Sequence, residues 1–238
     1  MQPATDATLH RHARRARHAG NFLRAHWAQL GGLYLGVIAP LLLFGWLARG
    51  VGAGGGAPLP FDAPIMLALH GWAWGGAERA SLLLADVGYR WGVVPFDLAL
   101  AVLLLALGKL RKGLFFAVAT AGSALLNLGA KALFARLRPD LWEHIVEETS
   151  YSFPSGHAMG SMTLAMAVAV LAWDTRWRWW VAVPALLFAV AVSASRVWLG
   201  VHYPSDILAA WAAAIAWTLG VAHFFRLRRH PSPRRNPI

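Results

Sequence analysis

Cysteine is absent from this 238-residue sequence, and charged residues make up only 14% of it. Without cysteine the chain can form no disulfide and has no thiolate chemistry. A soluble domain is about a quarter charged and about half apolar, whereas 58% of this chain is hydrophobic. These two shortages exclude a disulfide-stabilised protein and argue against an ordinary soluble domain.

The sequence contains several long apolar runs. A run of roughly 18 or more apolar residues can cross a bilayer as a helix. Predicted spans cover residues 28–47, 91–107, 114–134, 157–173, 179–194 and 205–225. We therefore expect an all-α, polytopic membrane protein, in which residues 28–225 form one bundle of about six transmembrane helices.

The stretches outside these spans differ in composition. Two basic tails, residues 1–27 and 226–238, flank the bundle, and the glycine-rich residues 50–60 indicate a flexible linker. Residues 61–74 are apolar but too short to span, and residues 78–90 are typical of an amphipathic helix. We predict that residues 61–90 form an interfacial segment on the outer side, as a substrate gate or as a simple anchor.

Lysine and arginine outnumber acidic residues by 22 to 11, mostly in the tails and short turns. Six spans place both tails on one side, and the positive-inside rule makes that side cytoplasmic. Anionic lipid headgroups explain the charge more simply than nucleic acid, so we expect membrane lipids and no nucleic acid as partners. Arg136, Arg138 and Arg196 fall on the outer side, which the rule does not explain.

Three polar clusters interrupt the apolar pattern at the outer ends of predicted spans. They are K-A-L-F-A-R-L-R-P at 131–139, P-S-G-H at 154–157 and S-R-V-W-L-G-V-H-Y-P-S-D at 195–206. Alone, each could hold a snorkelling cation or an ordinary helix-end histidine. Ionisable residues at membrane depth are costly and are functional candidates by default. Together the clusters predict one site, reached through three separate loops.

The cations of these clusters suit a phosphate group. Arg138 and Arg196 offer planar forks that match phosphate oxygens, and Lys131 adds a point charge. Such a group also stabilises the charge of phosphoryl transfer. In P-S-G-H, Ser155 is a natural N-cap and Gly156 lets a ligand approach the backbone. The N-terminus of the helix that follows is therefore a candidate anion site.

The histidines and the aspartate suit nucleophilic catalysis. Pro204 fits the first position of a helix, which puts Asp206 in the first turn, where its carboxylate can fold back toward His202. An aspartate on one imidazole nitrogen fixes the tautomer and leaves the other nitrogen free to attack. His157 would then protonate the leaving oxygen.

In this order, K-x6-R-P, P-S-G-H and S-R-x5-H-x3-D resemble the three-part signature of the type 2 phosphatidic acid phosphatase superfamily. This superfamily includes bacterial lipid phosphatases and is similar at its site to vanadium haloperoxidases. The motif core covers residues 131–206. The six-span layout extends the resemblance across residues 60–225.

The resemblance implies a phosphohistidine mechanism without metal or cofactor. His202 would be the nucleophile, Asp206 its orienting partner and His157 the general acid. Water would then release the phosphate from His202. The residues implied to hold phosphate are Lys131, Arg138, Ser155, Gly156 and Arg196.

The resemblance also implies a lipid phosphate substrate at the outer face of the bacterial inner membrane. Candidates are undecaprenyl pyrophosphate, phosphatidylglycerophosphate, phosphatidic acid and lipid A phosphates. A pocket at span ends would lie at headgroup depth, which independently favours a lipid. The alternatives are a phosphotransferase using the same phosphohistidine, a vanadate-dependent haloperoxidase, and a transporter or scaffold that binds anionic lipid without turnover. Neither the lipid nor the oligomeric state is encoded in a short motif.

Overall fold

The computed structural model describes residues 31–72, 75–143, 145–225 and 227. The N-terminal tail lies outside these residues, as do the C-terminal tail apart from Leu227 and two residues of the interfacial segment, Ala73 and Trp74. The described residues form helices and connecting segments, without a strand. The helices are α1 (Gly31–Ala53), α2 (Asp62–Gly71), α3 (Ala77–Val87), α4 (Val93–Ala106), α5 (Leu110–Phe134), α6 (Gly156–Ala172), α7 (Arg178–Trp198) and α8 (Pro204–Phe224).

Four of these helices, α1, α5, α7 and α8, are long and apolar enough to cross a membrane. Helices α4 and α6 are apolar but shorter, with 14 and 17 residues. A spanning helix has about 20 residues, with a range of about 17–25. The all-α, multi-pass architecture is therefore confirmed. The total of six spans stays a prediction, because it requires the shorter helices α4 and α6 to cross the membrane as well.

The centre of the bundle is built from α6 and α8, which pack against each other. Ala158, Ala165, Ala210 and Ala214 are buried together in their shared core. Small side chains let helix backbones approach closely, which matters in lipid because no hydrophobic force drives apolar helices together. The N-terminal ends of the two helices are joined directly, since the Ser155 N–H donates to the carbonyl of Asp206 at 3.3 Å.

Helix α1 runs farther than the sequence predicts. It ends at Ala53, so the first four residues of the predicted flexible linker, 50–53, are helical. Leu47 and Val51 are 0% and 1% exposed and share an apolar cluster with Phe153. Their burial outweighs the cost of glycine in a helix, about 1 kcal/mol each. The prediction was wrong here because composition carries no information on tertiary packing.

Helix α7 also extends past its predicted end, from 194 to Trp198. Val197 is buried in the core, and the helix stops before Gly200, which has a φ of +75°. A Cβ at Gly200 would lie 2.6 Å from Nε1 of Trp142, so this turn requires glycine. Arg196 is therefore in the last turn of a helix and not in a loop.

The predicted interfacial segment contains α2 and α3 as two separate short helices. Helix α2 packs on α7 and α8. Asp62, at its start, is 0% exposed, and Met66 lies in the central core. The segment is thus attached to the bundle through buried residues, and its depth in the membrane stays a prediction.

Candidate active site

The predicted phosphate-binding cations meet at one end of the bundle, against the segment that connects α5 to α6. Lys131, in the last turn of α5, donates to Oγ of Ser150 at 2.9 Å and to the carbonyl of Tyr151. Arg138 donates to the same Oγ at 3.2 Å. The expectation of three loops needs correction, because Lys131 and Arg196 are presented by helix ends, whose position is fixed by bundle packing.

An acidic side chain, Glu148, bridges the two arginines. Its Oε2 accepts from Nη2 of Arg138 at 3.3 Å, and its Oε1 accepts from Nη2 of Arg196. Arg196 is 1% exposed, and a buried charge is tolerated only when it is paired. The carboxylate of Glu148 is thus the anion that these two predicted phosphate ligands hold in this structure.

One donor of the cation group lacks an acceptor. Nε of Arg196 is buried and has no hydrogen-bond partner within the described part of the chain. Leaving a buried donor unsatisfied costs about 1–3 kcal/mol, so such groups require an explanation. Nε of Arg196 is therefore a donor that a further acceptor could use.

The two ring nitrogens of His202 face different surroundings. Nε2 lies 3.3 Å from Nη1 of Arg138, on the side of the cations. Nδ1 lies 3.4 Å from Oδ2 of Asp206 and 3.4 Å from Oγ of Ser152. Arginine is a donor only, so Nε2 is assigned as an acceptor and Nδ1 as the protonated nitrogen. This tautomer turns the Nε2 lone pair toward the cations.

The environment also sets the charge of His202. Burial, followed by the positive charges of Arg138, Arg196 and Lys131, holds the pKa of His202 well below its usual 6.5. The ring is therefore neutral at neutral pH. A neutral imidazole is the form that can act as a nucleophile.

The local sequence explains why Asp206 reaches His202. Pro204 is the first residue of α8, as the sequence predicts, and Tyr203 is the N-cap of this helix. Oδ2 of Asp206 accepts from the backbone N–H of Tyr203 at 2.9 Å, which closes a capping box. The predicted approach of the Asp206 carboxylate to His202 is confirmed.

His157 lies in the first turn of α6, and its ring packs on the ring of Tyr89 with centroids 5.0 Å apart. The predicted N-cap of this helix is confirmed, since Oγ of Ser155 accepts from the N–H of Ala158 at 3.4 Å. The groups close enough to act electrostatically on His157 include Arg196, His202, Lys131 and Arg138. His157 therefore lies within electrostatic range of His202.

Ser155 and Gly156 are placed less openly than the sequence suggests. Ser155 is 0% exposed, and its hydroxyl oxygen caps α6. A Cβ at Gly156 would lie 3.1 Å from Oδ1 of Asn127, whose Nδ2 donates to the carbonyl of Pro154 at 3.1 Å. Asn127 thus lies against the helix N-terminus. Contact of Ser155 and Gly156 with phosphate stays a prediction.

Several residues of the site were missed by sequence reasoning. Ser152 donates to Oδ2 of Asp206, and Arg136 donates to its Oδ1. Arg136 also pairs with Asp62 of α2 at 3.1 Å. The one available signal was that Arg136 lies on the predicted outer side, against the charge rule. Within the described ranges, no set of three or more histidine, aspartate or glutamate side chains is arranged to hold a metal ion.

Sequence comparison gives one consistent family. The family model of the PAP2 superfamily matches residues 112–230, which include all three polar clusters. The chain is 33% identical over 136 residues to an undecaprenyl-diphosphatase of Sulfolobus acidocaldarius, covering 55% of this chain and 62% of that protein. It is 33% identical over 125 residues to phosphatidylglycerophosphatase B of Bacillus subtilis, covering 50% and 58%. The chain thus spans less than two thirds of the length of either relative.

Structural comparison agrees with this match. A crystal structure of a transmembrane PAP2-type phosphatidylglycerolphosphate phosphatase from Bacillus subtilis superposes with a TM-score of 0.69 and 25% identity. The superposition covers 79% of this chain and 94% of that one. It therefore extends well beyond the residues of the three polar clusters.

Proposed function

This chain belongs to the PAP2 superfamily, and from that premise we propose that it is a lipid phosphatase that forms a phosphohistidine on His202. Two relatives act on lipid phosphates according to their names, undecaprenyl-diphosphatase and phosphatidylglycerophosphatase B. These names support a phosphate monoester or pyrophosphate of a membrane lipid as the substrate class.

The observation that carries the proposal is the orientation of His202. Its Nε2 faces Arg138 at 3.3 Å, while its Nδ1 faces Asp206 at 3.4 Å. A nucleophilic nitrogen must point at the phosphorus while the other nitrogen is held by an acceptor. The proposal is supported because Nε2 of His202 faces a cation that would hold the phosphate, while Nδ1 faces an acceptor.

In the first step, Nε2 of His202 attacks the phosphorus of the lipid phosphate. A P–N bond forms and the P–O bond to the lipid breaks. His157, which takes up a proton when the phosphate dianion binds among the cations, gives that proton to the leaving oxygen. Lys131, Arg138 and Arg196 hold the remaining phosphoryl oxygens. Positioning and charge stabilisation are the main means of catalysis in phosphoryl transfer.

In the second step, water attacks the phosphohistidine. His157, now neutral, takes a proton from the water as its oxygen bonds to phosphorus and the P–N bond breaks. Inorganic phosphate leaves, and both histidines return to their starting states. A positioned general acid or base contributes typically about 10²–10⁴-fold to rate. The three cations supply the charge stabilisation, so we expect no requirement for a metal.

The proposed site would face the outer side of a bacterial inner membrane. The clusters of Lys131, His157 and His202 lie at one end of the bundle, at the ends or starts of α5, α6 and α8. The basic tails and turns predict that the opposite end is cytoplasmic, together with both termini. The substrate headgroup would thus reach the site from the outer leaflet.

The test is phosphate release by purified protein in detergent with excess chelator. The substrates are phosphatidic acid, phosphatidylglycerophosphate and undecaprenyl pyrophosphate, and wild type is compared with His202→Ala. His223→Ala, an exposed histidine near the other end of α8, serves as the matched control. We expect wild type and the control to release phosphate and His202→Ala to fall to background.

Acid-labile protein phosphate in quenched wild type, absent from His202→Ala, would identify the intermediate. Full activity of His202→Ala would overturn the nucleophile assignment. Transfer of labelled phosphate to a lipid or sugar, without free phosphate, would replace hydrolase by phosphotransferase.

A further inference from the structure

Arg136 is a buried cation beside the proposed site that the two steps above do not use. It is 1% exposed, and its guanidinium carbon lies 4.0 Å from the centroid of the Tyr203 ring. Its donors bond to the carbonyl of Gly56 (Nε, 3.1 Å), Oγ of Ser205 (Nη1, 2.8 Å), Oδ1 of Asp206 (Nη1), the carbonyl of Ala57 (Nη2, 3.1 Å) and Oδ2 of Asp62 (Nη2, 3.1 Å). A guanidinium has five N–H groups, and those of Arg136 are directed at protein acceptors that include two carboxylates with 0% exposed side chains.

Asp62, the first residue of α2 in the predicted interfacial segment, binds the same group of residues from the other side of the guanidinium. Its Oδ1 accepts from the backbone N–H of Ser205 at 2.8 Å, and its Oδ2 accepts from Oγ of Ser205 at 2.7 Å. Oδ2 also accepts from the N–H of Leu59 at 2.8 Å. Asp62 therefore fixes both Arg136 and the residue that precedes Asp206.

We infer that Arg136 and Asp62 are positioning residues that hold the carboxylate of Asp206 in place behind His202. This inference rests on the proposed phosphohistidine function. Asp206 is 0% exposed, and its Oδ1 forms an ion pair with Arg136 while its Oδ2 faces His202. One carboxylate thus connects the buried arginine to the nucleophile.

Electrostatics gives the connection its chemical meaning. A carboxylate buried without a partner costs several kcal/mol, and it avoids that cost by taking up a proton. The guanidinium of Arg136 opposes the effect of burial and favours the ionised form of Asp206, which is the form that accepts the Nδ1–H of His202. Loss of Arg136 would therefore disturb both the tautomer and the orientation of the nucleophile, without removing any ligand of the phosphate.

The inference gives the chain between α1 and α2, with the first residue of α2, a role in supporting Arg136. Gly56, Ala57 and Asp62 come from the connection between α1 and α2 and from the start of α2. They surround the guanidinium of Arg136, which contacts Asp206 directly. The start of the predicted interfacial segment is thus part of the support of the nucleophile.

The test compares Arg136→Gln, Arg136→Lys and Asp62→Asn with wild type in steady-state kinetics. We expect kcat of Arg136→Gln to fall about 100-fold or more, the scale of small misplacements of reacting groups. KM and inhibition by inorganic phosphate should change less than about threefold, because the three phosphate-binding cations are intact. Arg136→Lys should recover part of kcat, and Asp62→Asn should lose about tenfold. Arg176→Gln, an exposed arginine outside this site, is the matched control.

The pH profile of kcat separates positioning from a purely structural role. Without the guanidinium, Asp206 takes up a proton more readily, so the acid limb of Arg136→Gln should move to higher pH and activity should partly return in alkali. An unchanged limb, with phosphate inhibition lost in parallel with kcat, would assign Arg136 to folding and overturn the inference.

Wild-type kcat in Arg136→Gln would overturn the inference as well. If Arg136→Gln does not fold, Arg136→Lys and Asp62→Asn decide by the same two readouts. His202→Ala, measured in parallel, keeps the outcomes distinct. Activity in His202→Ala would contradict the proposed function itself. An inactive His202→Ala together with fully active Arg136 and Asp62 variants would contradict only this inference.

Discussion

Arg136 and Arg138 are separated by one residue and each donates to two backbone carbonyls, yet their carboxylate partners differ in number and exposure. Arg136 is held by two carboxylates with 0% exposed side chains and by two backbone carbonyls. The side chain of Arg138 is 10% exposed, and its carboxylate partner, Glu148, is 21% exposed. A buried ion pair is strongly destabilised when one partner leaves, whereas a partly exposed pair is worth much less. The carboxylates beside Arg136 are therefore held more firmly than the carboxylate beside Arg138.

The difference suggests a division of work among the charges of the site. On the inference above, the ion pairs of Arg136 hold Asp206 behind His202. On the proposed function, the single carboxylate of Glu148 lies between Arg138 and Arg196 until a phosphate displaces it. Binding and preorganisation would thus be carried by separate arginines on the same short segment, and substitution can test them separately.

The largest difference between the two arginines should appear when Arg138→Gln is set against Arg136→Gln. Nη1 of Arg138 lies 3.3 Å from Nε2 of His202, and the Arg138 side chain is 10% exposed. We expect Arg138→Gln to lose about 10³-fold in kcat/KM, as when one preorganised donor is removed, and also to lose inhibition by inorganic phosphate. Steady-state kinetics with a short-chain phosphatidic acid measures both. Retained phosphate inhibition in Arg138→Gln would show that the two arginines do not differ as proposed.

The next effect concerns pH and stability. The pKa of His202 is well below 6.5 in the folded protein, while an unfolded chain has about 6.5. Below that pH the unfolded state binds the proton and the folded state does not, so the contribution of the neutral ring to stability is present above pH 6.5 and is lost as pH falls. One such proton gives a slope of up to about 1.4 kcal/mol per pH unit.

Chemical unfolding of wild type and His202→Gln in detergent, at several pH values between 5 and 7.5, measures this slope. Wild type should lose stability more steeply with falling pH than the variant. Parallel curves would show that the pKa of His202 is the same in the folded and unfolded protein, and would contradict its burial beside the cations.

The parts of the site that sequence predicts are those with local signals. Pro204 and Asp206 lie within one turn of His202, so the capping box and the approach of the carboxylate follow from spacing alone. Ser155 is confirmed as an N-cap for the same reason. The all-α membrane fold also follows from composition, because only long apolar runs suit a bilayer.

The remaining features depend on contacts that no short pattern encodes. Asp62 pairs with Arg136 across 74 positions of sequence. Asp62 lies outside the three polar clusters, and Arg136 lies within the first cluster but has no predicted role there. The longer ends of α1 and α7 are set by burial of Val51 and Val197, which only tertiary packing reveals. The contact of Glu148 with Arg196 joins residues 48 positions apart, and no pattern in the sequence indicates it.

The smallest effect, and the one most specific to the exchangeable anion, should come from Glu148→Gln. The variant keeps the shape of the side chain but removes the charge that competes with phosphate for Arg138 and Arg196. Inorganic phosphate should then inhibit more strongly, by about three- to tenfold. In wild type, phosphate must displace an ion pair worth about 1 kcal/mol, and in the variant this ion pair is absent. The exposed neighbour Glu147 provides the control, Glu147→Gln, which should leave the inhibition constant unchanged. Weaker inhibition in Glu148→Gln would mean that the carboxylate orients the arginines for phosphate, and the contrast between Arg136 and Arg138 would then be one of exposure alone.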